Sequence, residues 1–227
     1  MSIPKFLIGK HNGHSHNPRG KPLLRAICSG RPWSFPLELR VTHPGFYEIL
    51  GEGVVLLTAP HAGGPTADLL TGEIVEGVAL QSGCPGLVGN TSRENMDLNR
   101  AQAFDTGFRE SIETLTQKNG VRLILDIHGK ETRGVEIGTA DGETASKETT
   151  DVALKCLSRH FQVEVNKKYK GLKHGSIITT HSRKDPQGSY IVEAIQMEFG
   201  LRERSTTRNK AISGITEIVD LVNRHYK

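Results

Sequence analysis

Three apolar runs in this chain finish on side chains able to hold a metal ion or move a proton. "GVVLLTAPHAGG" runs into His61, "LILDIHG" carries Asp126 and His128, and "SYIVEAIQMEFG" carries Glu198. A polar group buried without a partner costs about 1–3 kcal/mol, so each of these needs a reason to be where it is. Imidazoles and carboxylates are ordinary zinc ligands, and a carboxylate beside a metal-activated water serves as a general base. Plainer readings stand beside these: His61 as a turn histidine, Asp126 and His128 as a hydrogen-bonded buried pair, Glu198 as half of a salt bridge to an arginine. A fourth stretch, "ENMDLNR", sets Asn99 beside Arg100. A guanidinium forks onto a carboxylate, while Asp97 or Asn99 equally suits the cap of a following helix.

Scattered along the chain, these residues need a framework that brings them together. Residues 54–58, 121–129 and 189–200 read as strands, and 135–142 as a further short strand and turn. Residues 35–50 read as a hairpin or edge strand turning at Pro44–Gly45. Between them, Phe104, Phe108, Ile112 and Leu115 fall on one face of a helix over 101–119, with Gly120 as its stop. Helices are also expected over 145–161 and over 208–224, the last with Ile212, Ile215, Ile218, Val219 and Val222 on one stripe. The stretch 63–93 reads as loop. Strands alternating with helices predict a mainly parallel sheet covered on both faces, in one domain spanning 1–227. In such a sheet, ligands bind beyond the carboxyl ends of the strands, which is where His61, Asp126, His128 and Glu198 would gather.

Composition narrows the partners. The 227 residues carry 29 Lys and Arg against 25 Asp and Glu, a net charge of +4. That suits an anionic substrate but lacks the dense basic run with interleaved aromatics of a nucleic-acid binder, so nucleic acid is an unlikely partner. The three cysteines, Cys28, Cys84 and Cys156, have no framework spacing and point to reduced thiols in a cytoplasmic protein. The amino terminus has no long apolar stretch of a secretory signal, and no run approaches the roughly 20 residues needed to span a bilayer. Oligomeric state is not legible. His11, His14 and His16 form a separate cluster, read as a polar surface loop in which closing on an ion would cost ordering entropy.

Taken in order, "PHAGG" at 60–64, "DLNR" at 97–100, "DIHG" at 126–129 and "IQMEFG" at 195–200 resemble the N-formylglutamate amidohydrolase family, relatives of the zinc carboxypeptidases and aspartoacylase-like hydrolases. "VEIGTADGETA" at 135–145 and "YKGLKHGSI" at 169–177 are similar to further segments of that family. The resemblance covers roughly residues 53–202. It implies a three-layer α/β/α fold with a mainly parallel mixed sheet, of the phosphorylase/hydrolase-like, zinc exopeptidase type, holding one zinc ion. It makes His61 and His128 the imidazole ligands, with Asp126 orienting His128. The carboxypeptidase "HxxE" carboxylate is absent, because Gly64 stands in its place. The resemblance then leaves the third ligand to Asp68, with Glu73 next. Glu198 matches the catalytic glutamate, and Asn99 and Arg100 match the pair that holds a substrate carboxylate. Arg133, Lys173 and His174, in loops on the same side, are candidates for a second anion contact.

The activity implied is hydrolysis of the amide of an N-acyl amino acid, or of a related γ-glutamyl or peptide substrate. Zinc-activated water would attack while Glu198 takes its proton and returns it to the leaving amine. Two other readings stay open: a deacylase acting on aminoacyl-tRNA, and a non-catalytic binding protein on the same fold.

Overall fold

The computed structural model describes residues 39–63, 68–118 and 120–226. His11, His14, His16 and Cys28 lie outside them. The described residues belong to one compact unit, Phe35–Lys227.

The hairpin expected at Pro44–Gly45 is present as β1 (Arg40–His43) and β2 (Phe46–Ile49), and β3 spans Val55–Ala59. Helix α1 (Thr71–Ser82) and strand β4 (Gly86–Gly89) follow. Next come α2 (Gly107–Lys118), β5 (Leu123–Lys130), β6 (Val135–Gly138), α3 (Lys147–Ser158) and β7 (Val163–Val165). The chain then forms α4 (Ile177–His181), β8 (Arg183–Lys184), β9 (Tyr190–Gly200), α5 (Leu201–Arg204) and α6 (Arg208–His225).

The nine strands form one sheet in the order β1-β2-β4-β3-β5-β9-β6-β7, with β8 paired to β9. The centre, β4-β3-β5-β9, is parallel. Antiparallel pairs flank it: β1 with β2 and β2 with β4 on one side, β6 and β8 with β9 on the other.

Alternation along the central strands divides the core into two layers. Leu123, Leu125 and Ile127 of β5 join Ile195, Met197 and Phe199 of β9 under α1, α3 and α6. Ile124 of β5 and Ala194 of β9 face the other way, against Phe108 and Ile112 of α2 and Ile177 and Ile178 of α4. With helices on both faces, this is the three-layer α/β/α architecture expected. A fully buried side chain of this size contributes about 1.5–3 kcal/mol, so both layers stabilise the sheet substantially.

Three expectations need correction. The stretch 63–93 is not all loop, because it holds α1 and β4. Eight of the twelve α1 residues are buried, so the helix shows no polar face for periodicity to detect. The helix expected from residue 101 begins at Gly107. Ala101–Ala103 is a separate 3-10 turn, and Phe104 is 41% exposed, over the Arg109 guanidinium rather than in the core. The break frees the preceding loop to run toward the sheet edge. The short elements β7, β8 and α4 have too few residues to show a period. Cys84 and Cys156 are free and buried, and among the described residues no helix is long and apolar enough to cross a membrane.

One buried titratable group of this framework sets a pH limit. His181 of α4 is buried, with Nδ1 3.6 Å from Glu113 and Nε2 without a hydrogen-bond partner. Burial, reinforced by the charges of Arg109 and Arg183 and opposed by Glu113, pushes its imidazole down to about 4. The unfolded ring titrates near 6.5, so the unfolded chain takes up this proton first as acidity rises. The stability that the neutral ring supports is therefore complete above pH 6.5 and is lost as pH falls toward 4. His181→Gln should remove on the order of 2–3 kcal/mol of acid-side pH dependence, read from urea midpoints across that window.

Candidate metal centre

At the carboxyl ends of β3 and β5, His61, Asp68 and His128 are all buried, with one ligand atom from each within 4.8 Å of the others. His61 follows β3 directly. His128 lies inside β5 on the same face as Asp126. Asp68 comes from the segment leading into α1, where Leu70 adopts φ +72°, a left-handed conformation costly for a residue with a side chain. Gly63 serves a close approach: a Cβ there would stand 2.3 Å from the backbone carbonyl carbon of Asn90, beyond the end of β4.

The two imidazoles turn the same nitrogen inward. His61 Nδ1 lies 2.7 Å and His128 Nδ1 3.3 Å from Asp68 Oδ2, while the other Asp68 oxygen accepts from the Gly129 N–H at 3.0 Å. Each outer nitrogen meets a carboxylate. His61 Nε2 is 2.6 Å from Asp97, and His128 Nε2 is 2.8 Å from Asp126. Asp126 is fully buried and its other oxygen accepts from the Thr58 hydroxyl at 2.6 Å. Histidines that hold metals characteristically present the second ring N–H to such an acceptor, which fixes the ring and raises its basicity. The donor set fits a divalent metal: two oriented imidazoles and one carboxylate, with Asp97 and Asp126 behind the rings.

The electrostatics follow from that crowding. Burial drives the Asp68 carboxyl up, but hydrogen bonds and charge from His128 and His61 outweigh it and hold the group far below the usual range. Asp97 is lowered likewise, with His61, Arg93 and Arg100 overcoming its burial. Burial disfavours a charged His128, yet Asp126, Asp68 and Glu198 raise its pKa well above normal. Glu198 is buried in β9, where Gln196 donates to it at 2.8 Å. Burial, with the negative charges of Asp68 and Asp126 and against the pull of His128 and Gln196, pushes it up to about 7. The salt-bridge reading of Glu198 has no support, as no ion pair of Glu198 occurs among the described residues.

These residues open onto a cavity of about 490 Å³, whose far wall is the segment Lys168–Lys173. His61, Asp68, Asn99, Arg100, His128 and Glu198 all line it. Asn99 is occupied within the protein: Oδ1 accepts from the Ile177 N–H at 2.7 Å, and Nδ2 lies 3.1 Å from His128 Nε2. Arg100 donates to the Asn99 carbonyl at 2.6 Å, its Nε lies 3.7 Å from Asp97, and its side chain lines the cavity. Lys173 lines the cavity, whereas His174 is exposed outside it. Arg133 lines a separate, neighbouring cavity. Chain length from the strand ends decides this: the β5–β6 connection carries Arg133 past the β6 side of the sheet.

Two contributors escaped the sequence reading. Asp97 looked like a helix cap, and it does accept the Asn99 N–H at 3.0 Å, yet the same oxygen meets His61. Arg204, buried at the end of α5, donates to the carbonyls of Leu69, Phe199 and Lys130, each next to or two residues from Asp68, Glu198 or His128. One guanidinium thus clamps the three segments that carry the site. A single arginine after a strand gives no sequence signal for such a role.

No family model matches the chain, and no curated protein sequence matches it. Solved structures do. An N-formylglutamate amidohydrolase from Ralstonia eutropha superposes with TM-score 0.60 at 14% identity, covering 80% of this chain and 99% of that one. A gene product of Agrobacterium tumefaciens gives 0.59 at 15% identity, over 80% and 96%. A bacteriophage poly-γ-glutamate hydrolase gives 0.53 at 15%, over 80% and 89%. At these identities the likeness is one of fold, and it is the fold of the family that the four motifs resemble.

If Asp97 orients His61 as a ligand, Asp97→Ala should weaken divalent-metal affinity by about 10–100-fold in competition with a chromophoric chelator. Unchanged affinity would show that Asp97 does not orient a metal ligand.

Proposed function

We propose that this chain is a zinc-dependent amidohydrolase acting on the amide of an N-acyl amino acid, or a related γ-glutamyl or peptide substrate, that bears a carboxylate. The observation that carries the reading is a buried general-base candidate, Glu198, in the same cavity as a buried His–Asp–His group whose outer ring nitrogens already have carboxylate partners. Two structural neighbours are named as an amidohydrolase and a hydrolase, in agreement with it.

His61, Asp68 and His128 would hold the ion. Zinc in such a site supplies Lewis acidity, which makes water a stronger acid and an amide carbonyl a better electrophile. The chain's own residues do the rest. Arg100 binds the substrate carboxylate and so sets which carbonyl reaches the reacting position. Glu198, oriented by Gln196, takes a proton from water as it attacks and delivers one to the departing amine nitrogen. Asp126 and Asp97 keep the imidazoles turned, and the Lys168–Lys173 wall brings cations to an anionic substrate.

Elemental mass spectrometry should find about one zinc per chain, lost in His128→Ala. A panel of N-acyl amino acids assayed for amine release should then identify a substrate. Glu198→Gln should keep its zinc and lose about 10²–10⁴-fold in kcat. A protein that takes up no zinc, or a Glu198→Gln variant that turns over normally, rules the mechanism out.

A further inference from the structure

The second cavity, about 300 Å³, is lined by Lys130, Arg133, Glu136, Glu164, Lys167 and Lys168, among others. Its four cations and two carboxylates leave a surplus of 4 − 2 = +2. Lys167 is committed to Glu164 at 2.5 Å, and Glu136 accepts the backbone N–H groups of Lys168 and Tyr169. Lys130 is only 4% exposed, yet its ammonium makes no hydrogen bond or ion pair among the described residues. Lys130 lines this cavity together with Glu164, whose carboxyl is held low first by Lys167 and then by Lys130. An otherwise buried lysine whose ammonium opens only onto a cavity, with no partner among the described residues, favours an anion there.

Sheet register ties this cavity to the metal centre. His128 pairs with Glu198, Glu198 with Glu136, and Glu136 with Glu164, one row across β5, β9, β6 and β7. Lys130 stands two residues beyond His128 on the same face, about 6.6 Å along the strand. Lys168 lines both cavities. Asn99 and Arg100 come from the opposite direction, on the loop after β4. Along the sheet edge the order is therefore Arg100, the His–Asp–His group, Glu198, then Lys130 and Arg133.

We propose that Lys130, Arg133 and Lys168 form an anion subsite for an acidic acyl group, so that the substrate lies across the strand ends with one carboxylate at Arg100 and a second, on the acyl side of the amide, at Lys130. This rests on the amidohydrolase reading above. A succinyl or glutaryl group carries a carboxylate on the acyl side that could meet these cations, whereas a formyl or acetyl group has none.

The test compares N-glutarylglycine with N-acetylglycine on the zinc-loaded protein. Wild type should favour the glutaryl compound in kcat/KM, and Lys130→Met should cut that preference at least tenfold. Arg133→Gln, an exposed position that folding does not depend on, should cut it about threefold. If both variants keep the wild-type preference while amides are still cleaved, the subsite is refuted and the amidohydrolase reading stands. If neither amide is cleaved, calorimetric binding of N-glutarylglycine decides. Weaker binding in both variants supports the subsite while the hydrolase reading fails, and equal binding refutes the subsite. Inorganic phosphate, titrated as a free anion, should compete with N-glutarylglycine; phosphate that binds through Lys130 without competing overturns the substrate assignment.

Discussion

The whole site depends on the parallel pairing of β5 with β9. Eight consecutive residues are in register, from Leu123 opposite Glu193 to Lys130 opposite Gly200. This pairing sets His128 beside Glu198, one strand spacing of about 4.8 Å away. Side chains alternate with a period of two, so a slip of one residue would move His128 and Asp126 to the opposite layer and bring Leu125 and Ile127 out of theirs. The apolar layer under α1, α3 and α6 therefore enforces the register, and with it the distance between a metal ligand and a general base. β3 extends the same logic: its register against β5 puts Thr58 beside Asp126, whose carboxylate it caps.

Burying so many acids at one edge is tolerable because each is answered locally. Asp68 has two imidazoles and a backbone N–H, Asp126 a hydroxyl and an imidazole, Asp97 an imidazole and the Arg93 guanidinium at 3.0 Å. Glu198 has only the Gln196 amide, and it is the acid whose pKa rises to about 7. The least compensated carboxylate is thus the one positioned to exchange a proton. Arg204 supplies the mechanical counterpart. Its hydrogen bonds to three carbonyls hold the left-handed Leu70 segment against the ends of β5 and β9, so local strain beside Asp68 is paid for by a buried guanidinium.

Legibility in the sequence tracked how strongly a residue's local pattern reflects its surroundings. β3, β5 and β9 were readable because they are apolar runs that end on polar groups, and α3 and α6 because each has one buried stripe. α1 was unreadable because it is buried nearly all round, and its mixture of Gly, Val and Glu carries no face. His61, His128 and Glu198 could be proposed from strand ends alone. Asp68 could be named only through the family resemblance, since its approach to the imidazoles depends on how the loop after His61 returns, a tertiary matter. Asp97 hid behind a helix-cap reading that it does not fill, since the 3-10 turn that follows has no side-chain cap and the next α-helix begins at Gly107. His174 shows the converse: a charged residue in a loop on the correct side of a sheet can still point to solvent.

Identity to the structural neighbours is 14–15%, yet the fold agrees over 80% of this chain. Physical chemistry accounts for that disparity. In the two apolar layers, size and patterning are what folding requires, and Leu, Ile and Val interchange at small cost when volume is kept. The edge residues have no such freedom. A carboxylate cannot become an amide opposite an imidazole without changing the ring's protonation, and an imidazole ligand has no isostere among the other side chains. Substitution is therefore cheap in the layers that hold the register and costly at the few positions that the register serves.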